Sequence, residues 1–283
     1  MAAIRLARAT DLAPVSEFLA ARLGGEGGPE RYRRYLEYRW LPDRPDLGVV
    51  LEDAGQIRGF IGAIYADRNV GGALRRFCNL TSIAVDGSHR KHTLQMFNLL
   101  FKHKDITFTC FSASPEIAKI LDFFKFEHCA SEKIMFAPPA GASRLKRGVR
   151  VLTAPDQIDA ELDDDQRIVA RDHRAYRCGQ ALIIDGDRRC FVVTARRGRD
   201  VRMFADVLYA SAPEVLVEHI ARLHVPLFRA HRTILTGIDR RWAGEPSRLS
   251  FRYAKLRPTY VRSPVVRLAQ VDALYTELVA GST

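Results

Sequence analysis

The sequence predicts an α/β protein made of two successive domains built on one plan, and three observations predict it. Strand-like runs with apolar residues at every second position are interleaved with runs at the three-and-four spacing of amphipathic helices. A loop-forming stretch, Pro138-Pro139-Ala140-Gly141-Ala142-Ser143, interrupts the pattern near the middle of the chain. Beyond it, Val149-Arg150-Val151-Leu152-Thr153-Ala154-Pro155-Asp156 restates Ile4-Arg5-Leu6-Ala7-Arg8-Ala9-Thr10-Asp11, with Arg, Ala and Asp at a constant offset. The expected organisation is a first domain over 1–137, a linker over 138–147 and a second domain over 148–283.

The first half justifies its elements in order. Ile4 to Arg8 alternates like a strand, and Thr10-Asp11 caps a helix carrying Leu12, Val15, Phe18, Leu19 and Leu23. Gly24, Gly25, Gly27 and Gly28 end it. Pro29 opens a second helix to about Trp40, with Tyr32, Tyr35, Leu36 and Arg39 along one side. Leu47–Glu52 and Ile57–Tyr65 read as strands around the turn Asp53-Ala54-Gly55-Gln56. Leu80–Val85 reads as a buried strand, Asp86-Gly87-Ser88 as a sharp turn, and a helix follows to about Lys104. Leu94, Phe97, Leu100 and Phe101 are expected on its inward face. A strand at Ile106–Phe111 and a helix at Pro115–Phe124 complete the half.

The junction of strand and helix at Asn79–Gln95 is the candidate functional stretch. A helix start leaves backbone N–H groups without partners, and here Arg90, Lys91 and His92 stand beside them, so the turn is a candidate anion site.

Composition narrows the classes. At 283 residues with 47% hydrophobic content the chain is long and apolar enough for real cores. No run approaches the ~20 apolar residues a membrane helix needs, and Met1–Arg8 lacks a separate apolar signal core, so a cytoplasmic protein without membrane contact is expected. Five cysteines (Cys78, Cys110, Cys129, Cys178, Cys190) are widely spaced with no C-x-x-C pair, which predicts reduced thiols and no metal site. The formal charge of +11 suits an anionic ligand. Its arginines are dispersed along the chain, which argues against a nucleic-acid interface.

The stretch from Val85-Asp86 through the turn to Arg90 resembles the pyrophosphate-binding segment of the GNAT acyl-CoA acetyltransferase superfamily. The family pattern is Gln or Arg, two residues, Gly, one residue, then Gly or Ala; Arg90 fills the first position, and Thr93 and Gln95 stand where the small residues belong. Gly48 to Gly62 is similar to the family's second and third strands, and Phe123-Phe124-Lys125-Phe126-Glu127 to its closing helix-to-strand turn, with Lys125 at the usual Gly.

The resemblance implies two GNAT-like domains in tandem, each a mixed, mainly antiparallel sheet flanked by helices. It implies an acyl-CoA-dependent N-acyltransferase using acetyl-CoA or another acyl-CoA as co-substrate and a small-molecule amine as acceptor. The oxyanion donor would be the backbone N–H of Val85 or Ile83 on the fourth strand. The pyrophosphate would lie on the amides of Arg90, Lys91, His92, Thr93, Leu94 and Gln95. Thr81 and Ser114 join Val85 as candidate catalytic residues, and Ser112 as a further candidate beside the cofactor; Ser114 before Pro115 also reads as an ordinary helix cap. His89, His92, Glu52 and Asp67 are candidate bases. Leu121 and Asp122 stand where the family places a Tyr-Glu pair, so the usual acid is missing. Tyr32, Tyr35, Tyr38 and Trp40 are either core or the lining of an acceptor pocket.

The second half repeats the plan. Gln157–Arg174 is helical; Ala181–Ile184 and Cys190–Ala195 form a hairpin around Asp185-Gly186-Asp187; Val201–Tyr209 matches the central strand; Pro213–Arg229 is a long helix; Thr233–Ile238 is a strand. Arg248–Val261 is basic and strand-like, and Val271–Val279 is a closing helix. Ala210-Ser211-Ala212-Pro213-Glu214 offers no cation for phosphate, and Glu214 would repel it, so this degenerate half is expected not to bind CoA. The substitutions at Thr93, Gln95 and Leu121 support an alternative, an inactive GNAT-like binding or scaffold protein. The oligomeric state and the acceptor stay open.

Overall fold

A computed structural model describes residues 2–138, 147–198, 203–254 and 256–281. Most of the expected linker, and positions 201 and 202 of one expected strand, lie outside the described residues.

The chain begins with β1 (Ala3–Leu6), α1 (Leu12–Leu23), α2 (Gly28–Leu36), β2 (Gly48–Asp53), β3 (Gln56–Val70) and β4 (Ala73–Val85). A 3-10 turn over Gly87–His92 leads into α3 (Thr93–Leu100), then β5 (Thr107–Cys110), α4 (Pro115–Phe123), β6 (Glu127–Cys129) and β7 (Lys133–Phe136). After 147 come β8 (Arg150–Leu152), α5 (Pro155–Glu161), α6 (Asp164–His173), β9 (Cys178–Asp185), β10 (Arg188–Arg197) and β11 (Phe204–Ala210). The rest is α7 (Pro213–Glu218), α8 (Ile220–His231), β12 (Leu235–Asp239), α9 (Arg240–Ala243), β13 (Ser250–Tyr253), β14 (Thr259–Arg262) and α10 (Glu277–Ala280).

Two compact units result. The first comprises Met1–Cys129 with Arg257–Val271 and Tyr275–Gly281; the second is mainly Ala130–Leu256. The first sheet runs β1-β2-β3-β4-β5-β14-β6 and the second β13-β7-β12-β11-β10-β9-β8. All described neighbours are antiparallel except β4 with β5 and β11 with β12, so each sheet is mixed and mainly antiparallel.

The expected boundary at 137 is corrected by strand pairing. β7 precedes that boundary yet joins β12 and β13 of the second sheet, and β14, from the far end of the chain, is inserted between β5 and β6 of the first. The pattern of a short strand shows that it pairs but not with which sheet. α10, also expected in the second domain, belongs to the first unit.

β3 and β4 form one long hairpin where separated strands were expected at Ile57–Tyr65 and Leu80–Val85. Gly71 and Gly72, at φ +63° and +80°, close a two-residue turn with Val70 opposite Ala73. The polar residues between are held in the ladder by Asp67, which pairs with Arg76 directly across at 2.7 Å.

The two faces of the first sheet carry separate cores. On one, Leu51, Ile61, Ala63, Cys78 and Leu80 meet Met96, Phe97 and Leu100 of α3 and Leu121 of α4. On the other, Val50, Phe60 and Ala84 meet Val15 and Leu19 of α1 and Tyr32 and Leu36 of α2. Leu94, expected inward, is exposed and Met96 takes its place, because the α-helix proper starts only at Thr93 and its phase is set from there. α4 ends with Lys125 at φ +60°, where Lys125 and Phe126 donate their N–H groups to the carbonyls of Asp122 and Leu121 at 3.0 Å. That closing geometry is the one that favours Gly.

In the second unit, Ile183, Cys190, Val192 and Val207 pack on Val215, Leu216, Leu223 and Leu227. The two long helices expected here are each broken: Asp163 caps α6 by accepting the Gln166 N–H at 2.7 Å, and His219 separates α7 from α8. His231 at the end of α8 is buried against the Thr194 hydroxyl at 2.8 Å. Burial, with Arg196 adding repulsion, pushes its imidazole from 6.5 down to about 4.

A histidine depressed in this way binds its proton in the unfolded chain first. Stability is therefore complete above pH ~6.5 and falls as pH drops from there toward ~4, by up to about 3 kcal/mol. Urea unfolding of wild type and His231→Gln at pH 7, 5.5 and 4.5 is expected to show a shallower acid loss in the variant. Equal slopes would refute the assignment.

Candidate active site

The site is built where β4 leaves its neighbours. β4 pairs with β5 in parallel only over Phe77–Asn79, opposite Thr107–Thr109, and then runs on alone to Val85 on that side. The strands fork at Asn79. Opposite, β3 pairs at Gly62 with Thr81 and at Phe60 with Ala84, so Ile61 faces two residues, Ser82 and Ile83. This is a β-bulge, and Ser82 takes its left-handed conformation at φ +50°. Gly62 permits it: a Cβ there would lie 2.8 Å from the Thr81 carbonyl oxygen.

Beyond the bulge the amide directions follow from one bond. Asp86 N–H donates to Arg58 O of β3 at 2.8 Å. Backbone N–H groups alternate sides along a strand, so the Val85 amide points the other way, into the fork, and Ile83 shares its direction. Thr81 is buried, and its hydroxyl is 3.4 Å from that of Ser82.

The turn that follows is held by charge. The buried Asp86 carboxylate pairs with Arg22 of α1 at 2.6 Å and with Arg58 at 3.4 Å. The helical run starts at Gly87, earlier than expected. His89 N–H is donated to Asp86 O at 2.9 Å, and Thr93 N–H to Arg90 O, so the amides from Arg90 to Gln95 lie inside the run rather than at its open end. Helix geometry leaves Gly87 and Ser88 as the amides without a carbonyl behind them. Side chains of Arg90, Lys91, Leu94 and Gln95 are exposed, and those of His92 and Thr93 half-buried. His92 Nδ1 meets Gln95 Oε1 at 3.1 Å. His89 lies between Ser88 Oγ (2.9 Å) and Asp53 (3.2 Å), and it holds the Asp53 carboxyl below its ordinary range.

Several candidates are committed elsewhere. Glu52 pairs with Arg5 at 2.9 Å and Asp67 with Arg76. Ser114 is the α4 cap, accepting Ile117 N–H at 3.3 Å. Its hydroxyl also bonds to Glu116, drawing that carboxyl below its usual range, with Lys119 and Arg90 as nearby cations. Of the aromatic residues of α2 and its exit, Tyr32 and Tyr38 are core, and Tyr35 and Trp40 pack half-buried against it. Tyr38 stacks on Trp40 at 4.9 Å; the Tyr38 hydroxyl accepts Tyr65 N–H, and Trp40 Nε1 donates to Tyr65 O, both at 2.9 Å. Tyr32 donates to Gly24 O at 2.6 Å.

What sequence reasoning missed is the group of side chains at the fork itself. Asn79 is 1% exposed; Thr109 Oγ1 donates to Asn79 Oδ1 at 3.3 Å, and Asn79 Nδ2 donates to Glu277 of α10. Cys110 stands next to Thr109, and burial, with the Glu277 charge adding to it, pushes its thiol up to about 12. Residues 198 positions apart leave no local signal.

The second unit repeats the backbone but not the space. β11 pairs with β12 only over Phe204–Asp206, and the β10–β11 register shifts at Val193/Thr194. At the place of Asn79 stands Asp206, 1% exposed, pairing with Lys133 at 2.7 Å and Arg197 at 2.8 Å. Side chains and their charges fill this fork.

No family model and no curated protein matches the chain. Solved structures do. A GCN5-related N-acetyltransferase of Anabaena variabilis is similar with a TM-score of 0.58 and 11% identity, over 93% of this chain and 72% of that one. A Pyrococcus horikoshii protein named as an acetyltransferase is similar with a TM-score of 0.56 and 15% identity, over 100% and 95%. A tandem GNAT protein from the clavulanic acid biosynthesis pathway is similar with a TM-score of 0.50 and 14% identity, over 93% and 98%. The fold of this chain is thus two GNAT-like domains in tandem. Among the described residues no helix is long and apolar enough to cross a membrane.

Proposed function

We propose that the first unit transfers an acyl group from acyl-CoA, acetyl-CoA in the simplest case, to the amine of a small acceptor. The observation that carries this reading is the fork: β4 bulges at Ser82, parts from β5 after Asn79 and turns the Val85 N–H into the gap. A thioester lying there meets a fixed donor for its carbonyl oxygen, and a preorganised N–H is worth most as that oxygen becomes an anion. Ile83 shares the strand direction and Thr81 the adjoining wall.

The pyrophosphate lies over the turn Gly87–His92. Arg90, Lys91 and His92 supply charge, and the Gly87 and Ser88 amides supply hydrogen bonds. Thr93 and Gln95 border this site, with Leu94 on the outer side. The transfer is direct. The thiols beside the fork, Cys78 and Cys110, are held protonated by burial, which disfavours an acyl-cysteine intermediate. In the second unit, the ion cluster around Asp206 and the absence of a cation in Ala210–Glu214 support a role without CoA.

A second reading, a binding or scaffold protein without activity, is favoured by the Thr93 and Gln95 side chains where small residues would give phosphate closest access. Calorimetric titration with acetyl-CoA and CoA separates the two. Micromolar binding that Arg90→Ala weakens about 10–100-fold, the worth of one charge-assisted hydrogen bond, is expected for the acyltransferase. Folded protein that binds neither ligand would sink it and leave the scaffold.

A further inference from the structure

The proton of the acceptor amine needs a destination, and several carboxylates of the first unit are engaged away from the apex of the fork: Asp46 accepts the Gly48 N–H and the Tyr65 hydroxyl. Glu52 is tied to Arg5, Asp67 to Arg76, and Asp86 to Arg22 and Arg58. Asp53 is tied to His89 beyond the far end of the strand. Glu277 is different in position. It is carried by α10, near the end of the chain, to the point where β4 and β5 part.

We infer that Glu277 is the general base of the acyl transfer, aimed by a relay from Thr109 through Asn79; the inference rests on the acyltransferase reading. Three observations carry it. Thr109 and Asn79 are the last residues paired between the parallel strands, so Glu277 is fastened to the apex of the fork. The Thr109 hydroxyl donates to Asn79 Oδ1, which fixes the amide so that Nδ2 points at the Glu277 carboxylate. The amide donor holds the carboxylate in place.

The third observation is the face. Cys78, Leu80, Phe108 and Cys110 point to the side covered by α3, whose approach turn carries the phosphate-binding candidates. Asn79 and Thr109 alternate with them and so point to the opposite side. There Ala280 of α10 packs with Tyr38 and Ile64, and Gly281 lies against Tyr35, close enough that a Cβ would meet that ring at 2.1 Å. Thr276 caps α10 by accepting the Leu278 N–H at 3.2 Å. The base is thereby set on a packed element, across the sheet from the phosphates, where an amine reaching through the fork meets the thioester.

The step balances as follows. The ammonium of the acceptor gives one proton to the Glu277 carboxylate. The freed nitrogen lone pair attacks the thioester carbon, whose oxygen is held by the Val85 N–H. The C–N bond forms, the C–S bond breaks, and the electron pair leaves on sulfur. The second proton on nitrogen passes to the thiolate, giving amide and CoA thiol, and Glu277 returns its proton to solvent.

The test measures three quantities on wild type, Glu277→Gln and Glu277→Asp: acetyl-CoA affinity by calorimetry, melting temperature, and CoA thiol release from acetyl-CoA with a panel of primary alkylamines. Gln keeps an oxygen for the Asn79 donor, so acetyl-CoA affinity is expected to be unchanged, and the melting temperature reads any change in folding. Its kcat is expected to fall about 100- to 10,000-fold, and Asp is expected to retain part of the rate. Binding with equal turnover in wild type and Glu277→Gln overturns the base and leaves the acyltransferase standing. Binding without CoA release above the buffer rate in wild type also overturns it. Absence of acetyl-CoA binding overturns the acyltransferase reading itself.

Discussion

Asp206→Ala lowers the stability of the second unit by about 3–5 kcal/mol, the expected consequence of breaking a buried ion pair on one side only. Asp206 is 1% exposed and takes both Lys133, 9% exposed, and Arg197. Lys133 Nζ has the Val207 carbonyl at 3.3 Å as a further partner, which satisfies one donor and none of its charge. A loss of this size lowers the melting temperature by about 10 °C in a domain of this length. Removing both charges, in Lys133→Met with Asp206→Leu, is expected to restore most of the stability, because well-packed apolar groups replace a buried pair at little net cost. A single variant that melts within about 2 °C of wild type would show that solvent reaches the cluster. The same result would weaken the view that charges seal this fork.

Gly48→Ala destabilises the first unit by about 4 kcal/mol or more, at the upper end of single substitutions. Gly48 sits at φ +121°, and a Cβ there would lie 1.9 Å from the Ile61 carbonyl oxygen and 3.1 Å from the Ala63 nitrogen. Both are backbone atoms, so no side chain can swing aside. The surroundings are dense with bonds: Gly48 N–H donates to Asp46 Oδ1 at 2.7 Å, Ala7 N–H to Gly48 O at 2.8 Å, and Ala63 N–H to Leu47 O at 3.1 Å. Asp46 is buried, its carboxyl raised by desolvation against the Tyr65 hydroxyl bond, so a shift of Gly48 also exposes a costly group. Chemical unfolding followed by circular dichroism is the measurement. A variant unfolding within about 1 kcal/mol of wild type would mean the strand entry yields more readily than close packing allows.

Both predictions concern features that spacing alone does not reveal. Gly48 looked like an ordinary strand residue, and Asp206 like one polar position in an apolar run. Their weight comes from what lies opposite: a carbonyl of β3 in one case, and charges from β7 and β10 in the other.

Local chemistry was enough for much of the rest. The two-domain plan followed from the repeat at Val149–Asp156, and the order of strands and helices from apolar spacing with its caps and glycines, because these are set by neighbours a few residues away. The basic turn after β4 and the Ser114 cap were legible for the same reason. Tertiary structure alone decided that β7 and β14 join sheets on the far side of their expected boundary, since a strand edge can pair with any strand brought to it. It alone buried Tyr38 under a half-buried Trp40 and shortened the open end of the helix to Gly87 and Ser88. The fork at Asn79 with Thr109 and Glu277 was beyond sequence for the plainest reason. Its members come from the middle and the end of the chain, and only folding the last helix against the first unit makes them neighbours.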